Sequence, residues 1–276
     1  MFAMKRELQE QEDMRVSSVE TRIHPTAVVD SAARLDHGVT VEPYAVIDGD
    51  VQIGAGSIIG SHARIAAGAR LGRDVRVYDG AALANPPQDL KFGGEPTELI
   101  VGDRTVIREC ATLNRGTKAS GRSVVGSDCL IMAYAHVAHD NDLGHHVILA
   151  NAVQLGGHVH VGDWAIIGGG TVVHQFSQIG AHAMIGGGFR VTQDVPPYVI
   201  VGGYPLKALS INRIGLERRG FTTDQIALLT RAFRVLFRSG LNMTQAIEKL
   251  RADGPDSAEA RYLIEFVIRS ERGVIR

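Results

Sequence analysis

Between residues 23 and 191 an aliphatic side chain returns at every sixth position. Counting in sixes gives 29 positions, and 26 of them are Ile, Leu or Val; the exceptions are Asp89, Glu95 and Ala119. A helix repeats at 3.6 residues and a strand at 2, so neither alone generates a strict six. Six residues of short strand and turn make one wall of a three-walled coil, and 18 residues complete a rung. That is the pattern of a hexapeptide parallel β-helix. The residue after the aliphatic one is often Gly, as in Ile53-Gly54, Leu71-Gly72 and Ile167-Gly168, which predicts a tight corner with positive φ at that glycine. Four residues after the aliphatic position comes a small or β-branched residue, as at Ala27, Val39, Ala45, Ser57 and Ala63. Such residues suit the cramped inside of a narrow prism, and Asn141 and Phe189 break the rule.

The three exceptions to the beat fall in two polar excursions, at about 84–100 and 118–124, after which the phase resumes. The first must loop outward, and a loop on a rigid scaffold is a natural place for a binding residue. The second is Gly/Ser-rich and carries no functional reading. The repeat ends at Asp194-Val195-Pro196-Pro197-Tyr198, where paired prolines stop strand pairing. Beyond it the pattern is helical. Thr222 with Gln225 resembles a capping box, Ile226, Leu229, Phe233 and Phe237 follow at helical spacing, and Gly240 is a stop. Further helices are expected at about 206–219, 244–252 and 257–270. The chain is therefore mainly β: an N-terminal extension at 1–20, a parallel β-helix at 21–198 and a C-terminal α-helical domain at 199–276. The helices would cover the open end of the coil, as terminal units of repeat proteins must.

No run of about 18 apolar residues exists, so no membrane-spanning helix is expected. Residues 1–20 are polar and lack the apolar core of a secretory signal, with Met14 an alternative start. Cys110 and Cys129 occupy different positions in their hexapeptides and would not stack, which fits reduced thiols in a cytoplasmic protein. The net charge of −1 is uneven: residues 204–276 hold 13 Lys/Arg against 8 Asp/Glu, whereas residues 1–203 hold 16 against 22. A basic tail on an acidic coil points to an anionic partner near the junction, and nothing points to nucleic acid.

Eight of the eleven histidines fall between His136 and His182. Residues 18 apart in such a coil stack at about the strand spacing, ~4.8 Å. His139, Asp140, His158 and His174 follow Val137, Leu155 and Val173, so one wall carries them on three successive rungs. Gly157 stands one rung from His139, and Asp140 one rung from His158. A histidine beside a carboxylate and a glycine outlines a general-base site: the imidazole takes a proton, the carboxylate orients it, and the glycine N–H meets an oxyanion. The His146, Trp164 and His182 column lies on another wall and reads as structural. Parallel β-helix enzymes that bind zinc use histidines at i, i+5, and no pair here has that spacing, so no metal is expected.

Several segments carry a resemblance to a known family. They are Ile23-His24-Pro25-Thr26-Ala27, Gln88-Asp89-Leu90-Lys91, Gly93-Gly94-Glu95-Pro96-Thr97, Asn114-Arg115-Gly116-Thr117, Ala135-His136-Val137-Ala138-His139-Asp140, Gly157-His158-Val159, Val173-His174-Gln175-Phe176, Gln193-Asp194-Val195-Pro196-Pro197-Tyr198 and Arg218-Arg219-Gly220-Phe221. Together they resemble the UDP-N-acetylglucosamine O-acyltransferases of lipid A synthesis, over about residues 21–276. The resemblance implies a homotrimer of left-handed parallel β-helices with active sites between subunits. It implies transfer of a 3-hydroxyacyl chain from acyl carrier protein to the 3-hydroxyl of UDP-N-acetylglucosamine. By match, His139 is the general base, Asp140 orients it and Gly157 supplies the oxyanion N–H. Asp89, Lys91, His136, His158, His174, Gln175, Asn212 and Arg218 bind substrate, and the basic cap receives the acidic carrier protein. Gly187 and Met184 match positions that set acyl-chain length; a glycine at 187 implies chains of about 12–14 carbons or longer. Asn114 stands where many relatives have His. A thioester is already activated, so no cofactor is implied. The competing readings are a hexapeptide acyltransferase using another acyl donor such as acetyl-CoA, one using the 3-amino sugar nucleotide, the N-acyltransferase of the same pathway, and a catalytically silent scaffold trimer.

Overall fold

A computed structural model describes residues 20–253 and 257–276, so the N-terminal extension lies outside the described residues except for Glu20. The chain forms two compact units, Met1–Asn141 and Asp142–Arg276.

In the first unit, short strands follow one another from Arg22–Ile23 to His136–Val137, and every third one pairs, always in parallel. Arg22 pairs with Thr40, Val28 with Val46 and Arg34 with Gln52, which is the 18-residue rung on each of three walls. The first excursion lengthens a rung to 30 residues, pairing Arg76 with Val106 and Ala82 with Thr112. The second lengthens one to 24, pairing Glu98 with Arg122 and Thr112 with His136. Both add whole hexapeptides, which is why the beat survives them. Ile47, Ile53, Ile59 and Ile65 are fully buried together with the small residues Ala45, Ser57, Ala63 and Ala69. Ser57 is tolerated in that core because its hydroxyl donates to the Gly72 carbonyl and accepts from the Val75 N–H, both at 3.0 Å. Asn141, one of the two rule-breakers, is buried and donates to the Ala138 carbonyl at 2.9 Å.

The corners correct one expectation. Positive φ falls not on the glycine after the aliphatic residue but two residues later, at Tyr44 (62°), His62 (59°), Asp74 (55°) and Asp140 (58°). Most such corners carry side chains, at a cost of roughly 1 kcal/mol each, which the stacking of rungs must offset. The glycine serves space instead. A Cβ on Gly54 would lie 2.6 Å from the Gly72 carbonyl, and one on Gly72 would lie 2.3 Å from Asp103 Oδ1.

The second unit repeats the 18-residue register, with Asp142 opposite His160, Ile148 opposite Ile166 and Gln154 opposite Val172. Phe189, the other rule-breaker, is half-buried, its ring set 2.7 Å from where a Cβ on Gly186 would stand. Val199–Gly202 pairs in parallel with Met184–Ile185 and antiparallel with Lys207–Ile211. The helix expected from about residue 206 therefore starts later, as α1, Arg213–Arg218. The reason lies in burial: Ala208 and Ile211 are inside while Leu209 and Ile214 face out, so these apolar residues make no single helical stripe. α2 (Thr223–Arg238) begins at the expected capping box, buries Ile226, Leu229, Phe233 and Leu236, and ends just before Gly240, whose φ is +77°. α3 (Met243–Asp253) and α4 (Ala258–Arg269, capped by Ser257) complete the helical part. Buried Asp194 ties the tail down, accepting from the Gln178 N–H at 2.8 Å and the Ser270 hydroxyl at 2.7 Å. Cys110 is exposed and Cys129 buried, both as free thiols. Among the described residues no helix is long and apolar enough to cross a membrane.

Candidate active site

The strand His136–Val137 runs into a corner where Asp140 takes the left-handed conformation. There His139 Nδ1 lies 2.7 Å from Asp140 Oδ2. The Asp140 side chain has no exposed surface, while the imidazole remains 14 % exposed. Three donors from the start of the second excursion and the residue just ahead of it converge on the carboxylate: the Thr117 N–H on Oδ1 at 2.9 Å, the Thr117 hydroxyl on Oδ2 at 2.7 Å, and the Ser120 hydroxyl on Oδ1. The Asp140 N–H donates in turn to Ser123 Oγ at 2.8 Å. Burial by itself would raise the pKa of this carboxyl. Hydrogen bonds from Ser120, His139 and Thr117 outweigh it and hold the group at about 2. Asp140 is thus ionised at neutral pH and accepts from an Nδ1–H, which leaves Nε2 as the basic nitrogen of the ring.

His136 stands on the same wall with its Nδ1 2.7 Å from Thr112 Oγ1. Burial, with the charge of His139, pushes its pKa below the ordinary value. It is a neutral hydrogen-bonding group.

Asp89 and Lys91 sit on the first excursion, where Asp89 Oδ1 accepts from the Lys91 N–H at 3.0 Å and the Lys91 side chain faces out. This loop is firmly seated. Glu95 accepts from the Gly93 N–H at 2.8 Å and the Lys118 N–H at 3.1 Å, and Thr97 donates to the Gly116 carbonyl at 2.6 Å. Buried Asn114 donates from Nδ2 to the carbonyls of Asn85 and Pro86, at 3.2 and 3.1 Å, so it anchors the root of the loop. Asn114→Ala removes both bonds and should lower the unfolding free energy by about 1–3 kcal/mol. Chemical denaturation checks this, and an unchanged midpoint would show that the anchor contributes nothing.

In the second unit Gly157 is buried; its carbonyl accepts from the Phe176 N–H at 3.0 Å, and its own N–H has no partner among the described residues. His158 follows at a left-handed corner and stacks on Phe176, with ring centroids 4.5 Å apart. His174 Nδ1 lies 2.9 Å from the Gln175 carbonyl oxygen and 3.2 Å from Arg272 Nη2; the Gln175 side chain is exposed. Asn212 is buried and its side chain is fully engaged: Oδ1 caps α1 through the Gly215 N–H, and Nδ2 donates to the His182 carbonyl at 3.0 Å. Arg218 is exposed in the last turn of α1. Met184 is exposed on its strand, and a Cβ on exposed Gly187 would lie 2.9 Å from the Gly169 carbonyl oxygen.

The His146, Trp164 and His182 rings stack as a column, at 3.8 and 6.4 Å, and Tyr198 extends it. The Arg219 guanidinium lies 5.0 Å over the Trp164 ring with Nη1 3.2 Å from His182 Nδ1. Burial and then the Arg219 charge bring the His182 pKa down to about 4, so its Nδ1 accepts from the arginine.

Sequence reasoning found His139 and Asp140 but missed Thr117, Ser120 and Ser123. Ser120 and Ser123 lie in the Gly/Ser-rich excursion, which has no functional reading in sequence, and Thr117 closes the Asn114-Arg115-Gly116-Thr117 segment, which carries resemblance but no assigned role. Of the described residues, His139, Asp140 and His158 carry donor atoms that could hold a metal ion. Both Asp140 oxygens, however, already accept hydrogen bonds from protein donors, and that donor set fits a histidine–carboxylate pair better than a metal ligand.

The chain is similar to known proteins along most of its length. A family model described as bacterial transferase hexapeptide (six repeats) matches residues 32–67, and one described as UDP N-acetylglucosamine O-acyltransferase, domain 2, matches residues 194–275. The acyl-(acyl-carrier-protein)–UDP-N-acetylglucosamine O-acyltransferase of Alkalilimnicola ehrlichii is 53% identical over 257 residues, covering 93% of this chain and all of that protein. The protein of the same name from Janthinobacterium is 50% identical, covering 92% and 99%. Among solved structures, a UDP-N-acetylglucosamine acyltransferase from Bacteroides fragilis superposes with a TM-score of 0.90 at 40% identity, covering 92% of this chain and 100% of that one. The fold is thus the left-handed parallel β-helix of hexapeptide repeats with C-terminal helices. With half its residues shared along nearly its full described length, the chain is an acyltransferase and belongs to the acyl-(acyl-carrier-protein)–UDP-N-acetylglucosamine O-acyltransferase family.

Proposed function

We propose that this protein moves a 3-hydroxyacyl chain from acyl carrier protein to the 3-hydroxyl of UDP-N-acetylglucosamine, the opening step of lipid A biosynthesis, with His139 as general base. The observation that carries this reading is the His139–Asp140 pair, a partly exposed imidazole held at 2.7 Å by a buried, ionised carboxylate. His139 Nε2 takes the proton of the sugar hydroxyl as its oxygen attacks the thioester carbonyl. The N–H of Gly157, eighteen residues on, is buried and uncommitted, and would receive the oxyanion. Collapse of the tetrahedral intermediate breaks the C–S bond, and the imidazolium returns the proton to the departing thiolate. A thioester needs no further activation, so the base and the orientation of the two substrates supply the rate.

Asp89, Lys91, His136, His158, His174, Gln175 and Arg218 would hold the sugar nucleotide, with Lys91 and Arg218 suited to its diphosphate. Asn212 would act indirectly by fixing α1, since its side chain is bonded at both ends. The basic helical segment would receive the acidic carrier protein, and the working form would be a cytoplasmic homotrimer. Gly187 and Met184 would border the acyl chain. With no side chain at Gly187, a chain of about 12–14 carbons or longer is accommodated.

One experiment tests the whole reading. The enzyme is given UDP-N-acetylglucosamine and its 3-amino analogue with a mixed pool of 10- and 14-carbon 3-hydroxyacyl carrier proteins and acetyl-CoA, and products are weighed by mass spectrometry. The expected product is the O-linked 14-carbon ester. Four extra buried methylenes at about 0.8 kcal/mol each favour it over the 10-carbon ester by up to about two orders of magnitude. Preference for the shorter chain refutes the role of Gly187. Acetyl transfer, N-acylation only or no product refutes the substrate assignment.

A further inference from the structure

We infer that Thr117 and Ser120 are positioning residues for the general base: their hydroxyls clasp the Asp140 carboxylate and so set the orientation of His139. This rests on the role proposed above for His139. Both residues lie between the strands Thr112–Asn114 and Arg122–Val125, Thr117 just ahead of the second excursion and Ser120 within it, where one rung stretches from 18 to 24 residues. Without that extra length the coil would bring neither hydroxyl to Asp140.

Thr117 grips both carboxylate oxygens, its N–H on Oδ1 and its hydroxyl on Oδ2, and two-point attachment fixes the plane of the group. Oδ2 is also the atom that faces His139 Nδ1, so the direction of the imidazole follows from the direction of that plane. The Thr117 hydroxyl is itself held, because the Ala119 N–H donates to it at 3.1 Å and leaves its proton for Asp140. Ser120 has one proton and two acceptors, the Arg122 carbonyl at 2.7 Å and Asp140 Oδ1. The charged oxygen is the stronger acceptor. Its proton therefore goes to Asp140, and Ser120 serves as the second prong.

The test separates the hydroxyl from the shape of the side chain. Thr117→Val keeps the volume and loses the hydroxyl, whereas Thr117→Ser keeps the hydroxyl. In steady-state assays with the full-length enzyme, Thr117→Val is expected to lower kcat by about ten- to a hundredfold, the scale of a small misplacement of a catalytic group. The KM for UDP-N-acetylglucosamine should change little, and Thr117→Ser should restore most of kcat. Wild-type kcat in Thr117→Val, an effect confined to KM, or equal loss in both variants overturns the inference. Should Thr117→Val fail to fold, as judged by circular dichroism, Ser120→Ala at its exposed position takes its place, and unchanged kcat there overturns the inference equally. His139→Ala is assayed alongside. If it is fully active, the general-base reading itself has failed; if it is inactive while Thr117→Val is normal, only the positioning role has.

Discussion

His139→Ala is expected to lower turnover at least a hundredfold while leaving the protein folded. A positioned general base contributes about 10²–10⁴-fold, and His136 on the same wall is a poor substitute, since burial makes it a weaker base and its Nδ1 is engaged with Thr112 Oγ1. The fold should survive because the imidazole is not part of the core. Its removal also leaves Asp140 with the Thr117 and Ser120 bonds that seat it. KM should move little, because the deleted group acts on the reacting hydroxyl and not on the body of the nucleotide. Single-turnover and steady-state assays, with circular dichroism as a control for folding, decide the matter. Turnover near that of the wild type would remove His139 from the mechanism.

Asp140→Asn is expected to cost both activity and stability. Three protein donors and the His139 Nδ1–H meet on two carboxylate oxygens, and an amide offers only one oxygen. In one orientation the new NH2 faces the Thr117 N–H; in the other it faces His139 and drives the ring proton from Nδ1 to Nε2, which blocks the base. Either way a buried donor goes unpaired, at about 1–3 kcal/mol, and turnover should fall by about 10²–10⁴-fold. The pH dependence gives a second reading. The folded-state pKa of Asp140 is held at about 2, below its ordinary value of 3.8. Stability from a depressed carboxyl is complete above the unfolded value and is lost as pH falls through the folded one. The gap between the wild type and Asp140→Asn in urea unfolding should therefore be full at pH 6 and narrower at pH 2.5. A gap that does not change with pH would mean the carboxylate contributes nothing through its charge.

How far these features could be read from sequence depended on the distance over which each is decided. The coil was legible because its period is local: Ile47, Ile53 and Ile59 announce their burial without knowledge of any distant residue. The capping box at Thr222 and the stop at Gly240 were legible for the same reason. The corner glycines misled, because a glycine can answer a torsion or a lack of room. Only the neighbouring rung, where the Gly72 carbonyl presses on Gly54, tells which applies. The start of α1 was read too early because the alternation of Ala208, Leu209 and Ile211 is decided by pairing with Val199–Gly202. His139 and Asp140 are adjacent in sequence, so their pairing was open to inspection. Thr117 and Ser120 reach Asp140 across 23 and 20 residues by way of an irregular excursion, and no periodicity reports such a contact.

Trp164 is the sole tryptophan of the chain, and it lies in the ring column directly beneath the Arg219 guanidinium. The tryptophan fluorescence of the whole protein, excited selectively over its tyrosines, therefore originates from one address, at the C-terminal end of the helix that carries Arg218. Occupancy of that neighbourhood can be followed optically in the unlabelled wild-type protein, with no dye and no engineered reporter.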